Sequence, residues 1–155
     1  SLWTRNPEIA VLDTCRELGT SFVAFSPLAR AFLTGKLRDV TTLAEKDLRR
    51  NMPRFDTDNY ARNLQLLSQV EEVAEQENCT LAQLALAWVL GQGEHVLAIP
   101  GTTNPLHLEE NFSASDMVLS PDALTQLDQI INQNTVAGPR YNRATQAEID
   151  TEEFA

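Results

Sequence analysis

The sequence predicts an α/β fold built on parallel strands, and three observations carry that expectation. Two short apolar runs, Phe22 to Phe25 and Val96 to Ile99, lack the alternation of a half-solvated strand and read as strands buried on both faces. Amphipathic helical stretches stand before, between and after them, the order expected when crossovers join parallel strands. The second run ends in Pro100-Gly101-Thr102-Thr103 and leads into Asn104-Pro105, a helix start in which Asn caps free amides and proline gives up a donor that would be orphaned anyway. Such a strand, loop and helix end present partly positive amides to an anion, most simply a phosphate, although an ordinary capped turn has the same pattern. Two strands cannot cover their own faces and edges, and an eight-stranded α/β barrel takes about 250 residues. With 155 residues, either partners complete the sheet or the chain is an incomplete part of a larger (β/α)8 TIM barrel. The anion turn favours the barrel, because barrels frequently hold phosphate in the loops after strands seven and eight.

The elements follow in order. Ser1 to Arg5 carries no capping pattern and reads as the middle of something longer. Asn6-Pro7 starts a helix with Ile9, Leu12, Cys15 and Leu18 on one face, and Gly19 stops it. The first strand then runs to Phe25 and ends at Ser26-Pro27. Positions 28–56 form a long Arg-rich connection with short helical turns, Thr42-Leu43-Ala44-Glu45 fitting a capping box, and a connection of this length is expected to be a lid or binding loop. Asp56 or Thr57 caps a surface helix whose Tyr60, Leu64, Leu67, Val70, Val73 and Ala74 share a face, ending near Asn78. Thr80 to Gln83 is a second capping box, opening a helix that turns Leu81, Leu84, Ala85, Trp88 and Val89 to the core. After the second strand a helix runs through Asn111 and Phe112, and Ser120-Pro121-Asp122 opens the last one, with Leu124, Leu127, Ile130 and Ile131 on its apolar side. The tail, 133–155, is polar, with Val136, Tyr141, Ile149 and Phe154 as anchors with which it drapes over a surface or stays loose.

Composition narrows the function classes. A net charge of −10 argues against nucleic acid, whose phosphates are bound by clustered Lys and Arg. Eight of the 12 basic residues lie between positions 30 and 62 against five acids, so this segment is locally +3 and the remainder −13. Such an island suits a small anionic ligand held locally, or a solvated loop of mixed charge. No apolar run approaches the roughly 20 residues of a bilayer span, and the first residues lack a signal-peptide layout. Cys15 and Cys79 fall in predicted helices without metal spacing and read as reduced, buried thiols, which points to a soluble, cytoplasmic protein. His95 enters a strand, where a structural role is expected.

Three motifs together resemble the C-terminal part of an aldo/keto reductase: Phe25-Ser26-Pro27-Leu28-Ala29-Arg30-Ala31-Phe32-Leu33-Thr34-Gly35-Lys36, then Leu81 to Val89, then Ile99 to Asn104 with Leu108-Glu109-Glu110-Asn111. The resemblance covers nearly the whole chain and makes residues 1–155 the C-terminal part of one such domain, with Phe22 to Phe25 as strand seven and Val96 to Ile99 as strand eight. It implies an NADP-dependent oxidoreductase that reduces aldehydes or ketones to alcohols. By the same resemblance Phe25 stacks on the nicotinamide, Ser26, Pro27, Leu28, Ala29 and Arg30 surround the pyrophosphate, and Lys36 lies near it. Gly101, Thr102, Thr103 and Asn104 receive the adenosine 2′-phosphate, His107 sits in the adenosine pocket, and Glu110 and Asn111 bind the adenine. Neutral Thr and Asn stand where many members carry Lys or Arg, so NAD stays open beside NADP. The family's catalytic Asp, Tyr, Lys and His come from its first four strands and match nothing here, so the chain alone is expected to be inactive. The alternative is a non-catalytic half-barrel remnant that binds a nucleotide or a partner. Either way an N-terminal half-barrel or self-association is expected, with a small carbonyl compound as substrate of the complete enzyme and neither nucleic acid nor membrane as partner.

Overall fold

In the computed structural model, which describes residues 1–154, the two strands lie where the apolar runs place them: β1 is Phe22–Phe25 and β2 is Val96–Ile99. They pair in parallel, Phe22 against Val96 through Phe25 against Ile99. The architecture is α/β with a sheet that does not close. Ala24 and Val96 are buried under the helices, whereas Val23, Phe25, Leu97 and Ile99 are 49%, 54%, 52% and 55% exposed. Side chains alternate across a strand, so these four apolar residues share one face. Burial on both faces is therefore corrected to burial on one: among the described residues the second face is left about half exposed, with the Arg140 guanidinium over the Phe25 ring. A β-strand edge on each side is equally free to pair further.

The covered face is made chiefly by α3, Leu81–Leu90, and behind it α2, Thr57–Gln76. The Thr80 capping box forms as expected, with the Gln83 amide 3.2 Å from Thr80 Oγ1 and the Thr80 amide 2.9 Å from Gln83 Oε1. Beyond the expected face, Ala82, Leu86 and Ala87 are also buried, because α3 lies between the sheet on one side and α2 and the later helices on the other. In α2 the side chains of Tyr60, Leu67, Val70, Val73 and Ala74 enter the core. Asp56 occupies its N-cap position without a side-chain cap. Leu67, Leu84, Leu127 and Ile131 are fully buried at the centre.

Three local expectations are corrected. The helix from Asn6 is divided into a 3-10 turn, Asn6–Glu8, and α1, Val11–Glu17, because Ala10 leaves the helical region at ψ −27 with φ −151. Of its apolar stripe Leu12 alone is buried, and Ile9 and Leu18 face solvent among the described residues. The connection does hold short turns, 3-10 segments at Phe32–Thr34, Val40–Thr42, Leu48–Asn51 and Pro53–Phe55. Two of them are capped by side chains, Asp39 and Asp47 accepting from the amides of Thr41 and Arg49 at 2.8 and 2.9 Å. Thr42 ends its turn and Leu43 is extended, so the Thr42 box opens no helix. Cys15 lies in α1, but Cys79 lies in the turn between α2 and α3; both thiols are free and only half-buried.

Beyond β2 come α4, Pro105–Ser113, and α5, Pro121–Ile130, the latter capped by Ser120 as expected. The tail drapes over the body and forms a short helix, α6, Arg143–Gln146, that its composition did not announce. Asn63, fully buried in α2, holds Ala137 from both sides: the Ala137 amide donates to Oδ1 at 2.8 Å and Nδ2 donates to the Ala137 carbonyl at 3.0 Å. Ala155, the end of the expected tail, lies outside the described residues. No helix among them is long and apolar enough to cross a membrane, and no cluster of His, Cys, Asp and Glu among them could hold a metal.

Candidate functional site

A cleft of about 500 Å³ opens at the C-terminal ends of β1 and β2. The loop after β1 lines it with Ser26, Pro27, Leu28, Arg30, Ala31, Thr34 and Lys36, and the end of β2 with its following loop contributes Ile99, Pro100, Gly101 and Thr102. His107, Glu110 and Asn111 of α4 close the far side, and Thr80 and Ala82 at the start of α3 form the floor. Parallel pairing explains this convergence, since both strands end on the same edge and deliver their loops to the same place.

The first loop is held in an unusual backbone conformation. Ser26, Ala29, Arg30 and Ala31 have φ values of 51, 51, 54 and 72, a left-handed region that residues with a Cβ visit at a cost of about 1 to 2 kcal/mol each. Phe32 and Leu33, both fully buried, tie the loop to the core. Phe32 stacks on Trp3 with centroids 3.9 Å apart and meets Tyr60 edge-on at 5.8 Å. Thr34 Oγ1 donates to the Ala31 carbonyl at 2.8 Å, closing the turn.

The second loop is exposed from Gly101 to Asn104. Asn104 caps α4 by accepting from the Leu106 amide at 3.0 Å, and Thr102 Oγ1 accepts from the Asn104 amide at 3.1 Å. The Gly101, Thr102, Thr103 and His107 amides donate to no group among the described residues. They are the unpaired donors that an anion at this helix end can take. A Cβ on Gly101 would meet nothing within 4 Å, so the described chain itself does not require glycine there.

The expected site residues are thus largely brought together. Ser26, Pro27, Leu28, Arg30, Lys36, Gly101, Thr102, His107, Glu110 and Asn111 share the cleft. Asn111 is 8% exposed and its side chain makes no hydrogen bond among the described residues, leaving its amide free for a ligand. Ala29 is buried behind the loop, and Thr103 and Asn104 stand beside the cleft rather than in its wall. Phe25 points to the open sheet face, where the Arg140 guanidinium lies 4.8 Å from its ring centroid. The sequence missed Thr34 and Thr80 as wall residues; Thr80 was legible only as a helix cap. His95 has the structural role expected, its Nε2 3.0 Å from the Leu12 carbonyl oxygen.

The basic island is mostly spoken for by the chain itself. Arg50 donates to the carbonyls of Leu43 and Ala44, and Arg38 pairs with Glu71. Arg49 pairs with Asp47 at 2.7 Å, and these hydrogen bonds hold the Asp47 carboxyl down at about 2. Arg54 donates to the carbonyls of Trp3 and Gly138 and to Thr4, and burial pulls its guanidinium down to about 10. Arg30 and Lys36 are the members of the island that reach the cleft.

The model of the aldo/keto reductase family matches residues 1–132. An NADP(+) aldo-keto reductase of Schizosaccharomyces pombe is 40% identical over 141 residues, which cover 91% of this chain and 42% of that protein. An aldo-keto reductase of Strobilurus tenacellus is 36% identical over 149 residues, covering 96% and 44%. Among solved structures, a glycerol dehydrogenase from Gluconobacter oxydans superposes with a TM-score of 0.80 at 27% identity, over 99% of this chain and 44% of that one. An aldo/keto reductase from Klebsiella pneumoniae, solved with NADP and acetate, gives a TM-score of 0.58 at 30% identity, over 92% and 39%. The chain spans less than half the length of the curated relatives it matches.

Proposed function

The chain belongs to the aldo/keto reductase family, and on that premise we propose that it supplies the cofactor-binding part of an NADP-dependent enzyme that reduces aldehydes or ketones to alcohols. The observation that carries this reading is the convergence of the two loops on one cleft that brings together unpaired amides and the cations of Arg30 and Lys36. NADP itself would supply the hydride chemistry. This chain's residues bind and orient: Phe25 offers an apolar ring at the end of β1, and the Ser26 to Arg30 loop together with Lys36 holds a pyrophosphate. The Gly101 to Asn104 turn and His107 hold a 2′-phosphate, and Glu110 and the unpaired Asn111 amide bind the adenine edge. Residues 1–155 are the C-terminal part of the reductase domain, 133–155 being its tail, and the catalytic Asp, Tyr, Lys and His come from elsewhere in the complete enzyme, which we assign to the cytosol.

The test is calorimetric titration of the 155-residue chain with NADP(+) and NAD(+), alongside an assay of NADPH oxidation with benzaldehyde. We expect binding of NADP(+), tighter than NAD(+), and no turnover. Absence of dinucleotide binding would overturn the cofactor assignment, and turnover would overturn the missing tetrad. A second reading, a half-barrel remnant whose role is to bind a partner, is favoured by the uncovered Val23, Phe25, Leu97 and Ile99. It requires association through that sheet, and a monomer by sedimentation that also binds NADP(+) would count against it.

A further inference from the structure

Lys36 lines the cleft from a stretch, 36–39, that belongs to no helix or strand. Its ammonium sits on a flexible four-carbon stem, so where that charge can reach depends on how firmly the backbone beneath it is held. Side chains tie that backbone before and after Lys36. The Lys36 amide donates to Thr34 Oγ1 at 3.3 Å, the Gly35 carbonyl accepts from Arg38 Nε at 2.7 Å, and the Leu37 carbonyl accepts from the Tyr60 hydroxyl at 2.7 Å.

Two of these ties are anchored in one helix. Arg38 also pairs with Glu71, and Glu71 and Tyr60 stand about three turns apart on one face of α2. Tyr60 is 2% exposed and packs against Phe32 and Phe55, with ring centroids 5.8 and 5.5 Å away. Burial pushes its hydroxyl up to about 12, which keeps it a donor. Gly35 has φ 68, and a Cβ on it would stand 2.7 Å from Leu81 Cδ1 and 3.0 Å from Arg38 Nη2. The Arg38–Glu71 pair and α3 therefore close directly on the turn that delivers Lys36. An ion pair as exposed as this one adds little stability, so its main effect is geometric. Tyr60, Arg38 and Glu71 do not themselves line the cleft.

We propose that Tyr60 and the Arg38–Glu71 pair are positioning residues: by fixing the backbone on both sides of Lys36 they hold its ammonium for the diphosphate of the bound dinucleotide. The inference rests on the reductase reading above and deepens it. A flexible cation loses conformational freedom when it meets an anion, and a backbone already fixed reduces that loss. Affinity for the dinucleotide therefore depends on α2, a helix that stands outside the cleft.

The experiment is calorimetric titration of the 155-residue chain and its variants with NADP(+), arranged as a double-mutant cycle. Lys36→Met, which removes the charge and keeps the stem, should weaken binding about tenfold, as loss of a charge-assisted contact does. Tyr60→Phe keeps the buried ring, removes only the hydroxyl, and should weaken binding about fivefold, the scale of one hydrogen bond. Arg38→Met should act in the same direction from an exposed position, where folding is not at risk. In the Lys36→Met background neither second substitution should have a further effect. A merely structural role would not give that result, since a general loosening of the core adds to any other loss. Unchanged affinity in Lys36→Met, full additivity in the cycle, or binding by either second variant equal to that of the parent chain overturns the proposal and leaves the reductase reading standing. Absence of NADP(+) binding by the parent chain overturns both.

Discussion

The loop after β1 and the loop after β2 face each other across one cleft and are built in opposite ways. The first takes four non-glycine residues into left-handed backbone and holds them there by burying Phe32 and Leu33 in the core. The second is exposed from Gly101 to Thr103 and is held by one helix cap and one threonine hydroxyl. Strain persists only where surrounding structure over-determines it, so the first loop is preorganised by the fold, and the second retains free amides because nothing in the fold uses them. Damage to the first loop should therefore register as lost stability, and damage to the second as lost affinity.

Phe32→Ala gives the largest expected effect. It removes a fully buried ring stacked on Trp3, and a loss of about 3 to 5 kcal/mol in urea unfolding is expected. Asn104→Ala, in the second loop, removes the α4 cap and should cost about 1 kcal/mol by the same measurement. A cost as large as that of Phe32→Ala would erase the contrast.

These two positions also mark what could be read from the sequence. The strand bounds, the Thr80 box and the Asn104 cap depend on neighbours within three residues and were legible. The partners of the arginines were not, because Arg54 meets carbonyls 51 and 84 positions away, and no local pattern announces such contacts. The 3-10 turns of the long connection lack a repeat long enough to produce periodicity, so nothing in the sequence distinguishes the capping Asp39 and Asp47 from Thr42, which ends its turn. The wall residues of the cleft were legible mainly through family resemblance.

Smaller effects sharpen the comparison. Ala31→Gly relieves a left-handed residue and should raise stability by up to about 1 kcal/mol, the gain being reduced by the freer unfolded chain. A destabilised variant in thermal unfolding would mean that the loop is not strained at this residue. Gly101→Ala should change stability by less than about 0.5 kcal/mol, since the new methyl meets nothing. The same variant should weaken NADP(+) binding in calorimetry if a ligand approaches that backbone. The smallest effect is electrostatic. Hydrogen bonds to Arg49 hold Asp47 at about 2, below the ordinary 3.8, so its contribution is present above pH 4 and is lost as the pH falls toward 2. Asp47→Asn should accordingly be less stable than the parent chain at pH 6, with the difference closing near pH 2.

The parallel register of Phe22 with Val96 also has a kinetic side. These partners stand 74 positions apart, and closing a segment of that length costs about 4 kcal/mol of chain entropy before any strand contact is made. The helices α2 and α3 need only local contacts and lie wholly inside that segment. The pairing of β1 with β2 is therefore made late, on a helical platform already in place. In pulse-labelled hydrogen exchange during refolding, amides of α3 should gain protection before those of β1, and the reverse order would show that the strands meet first.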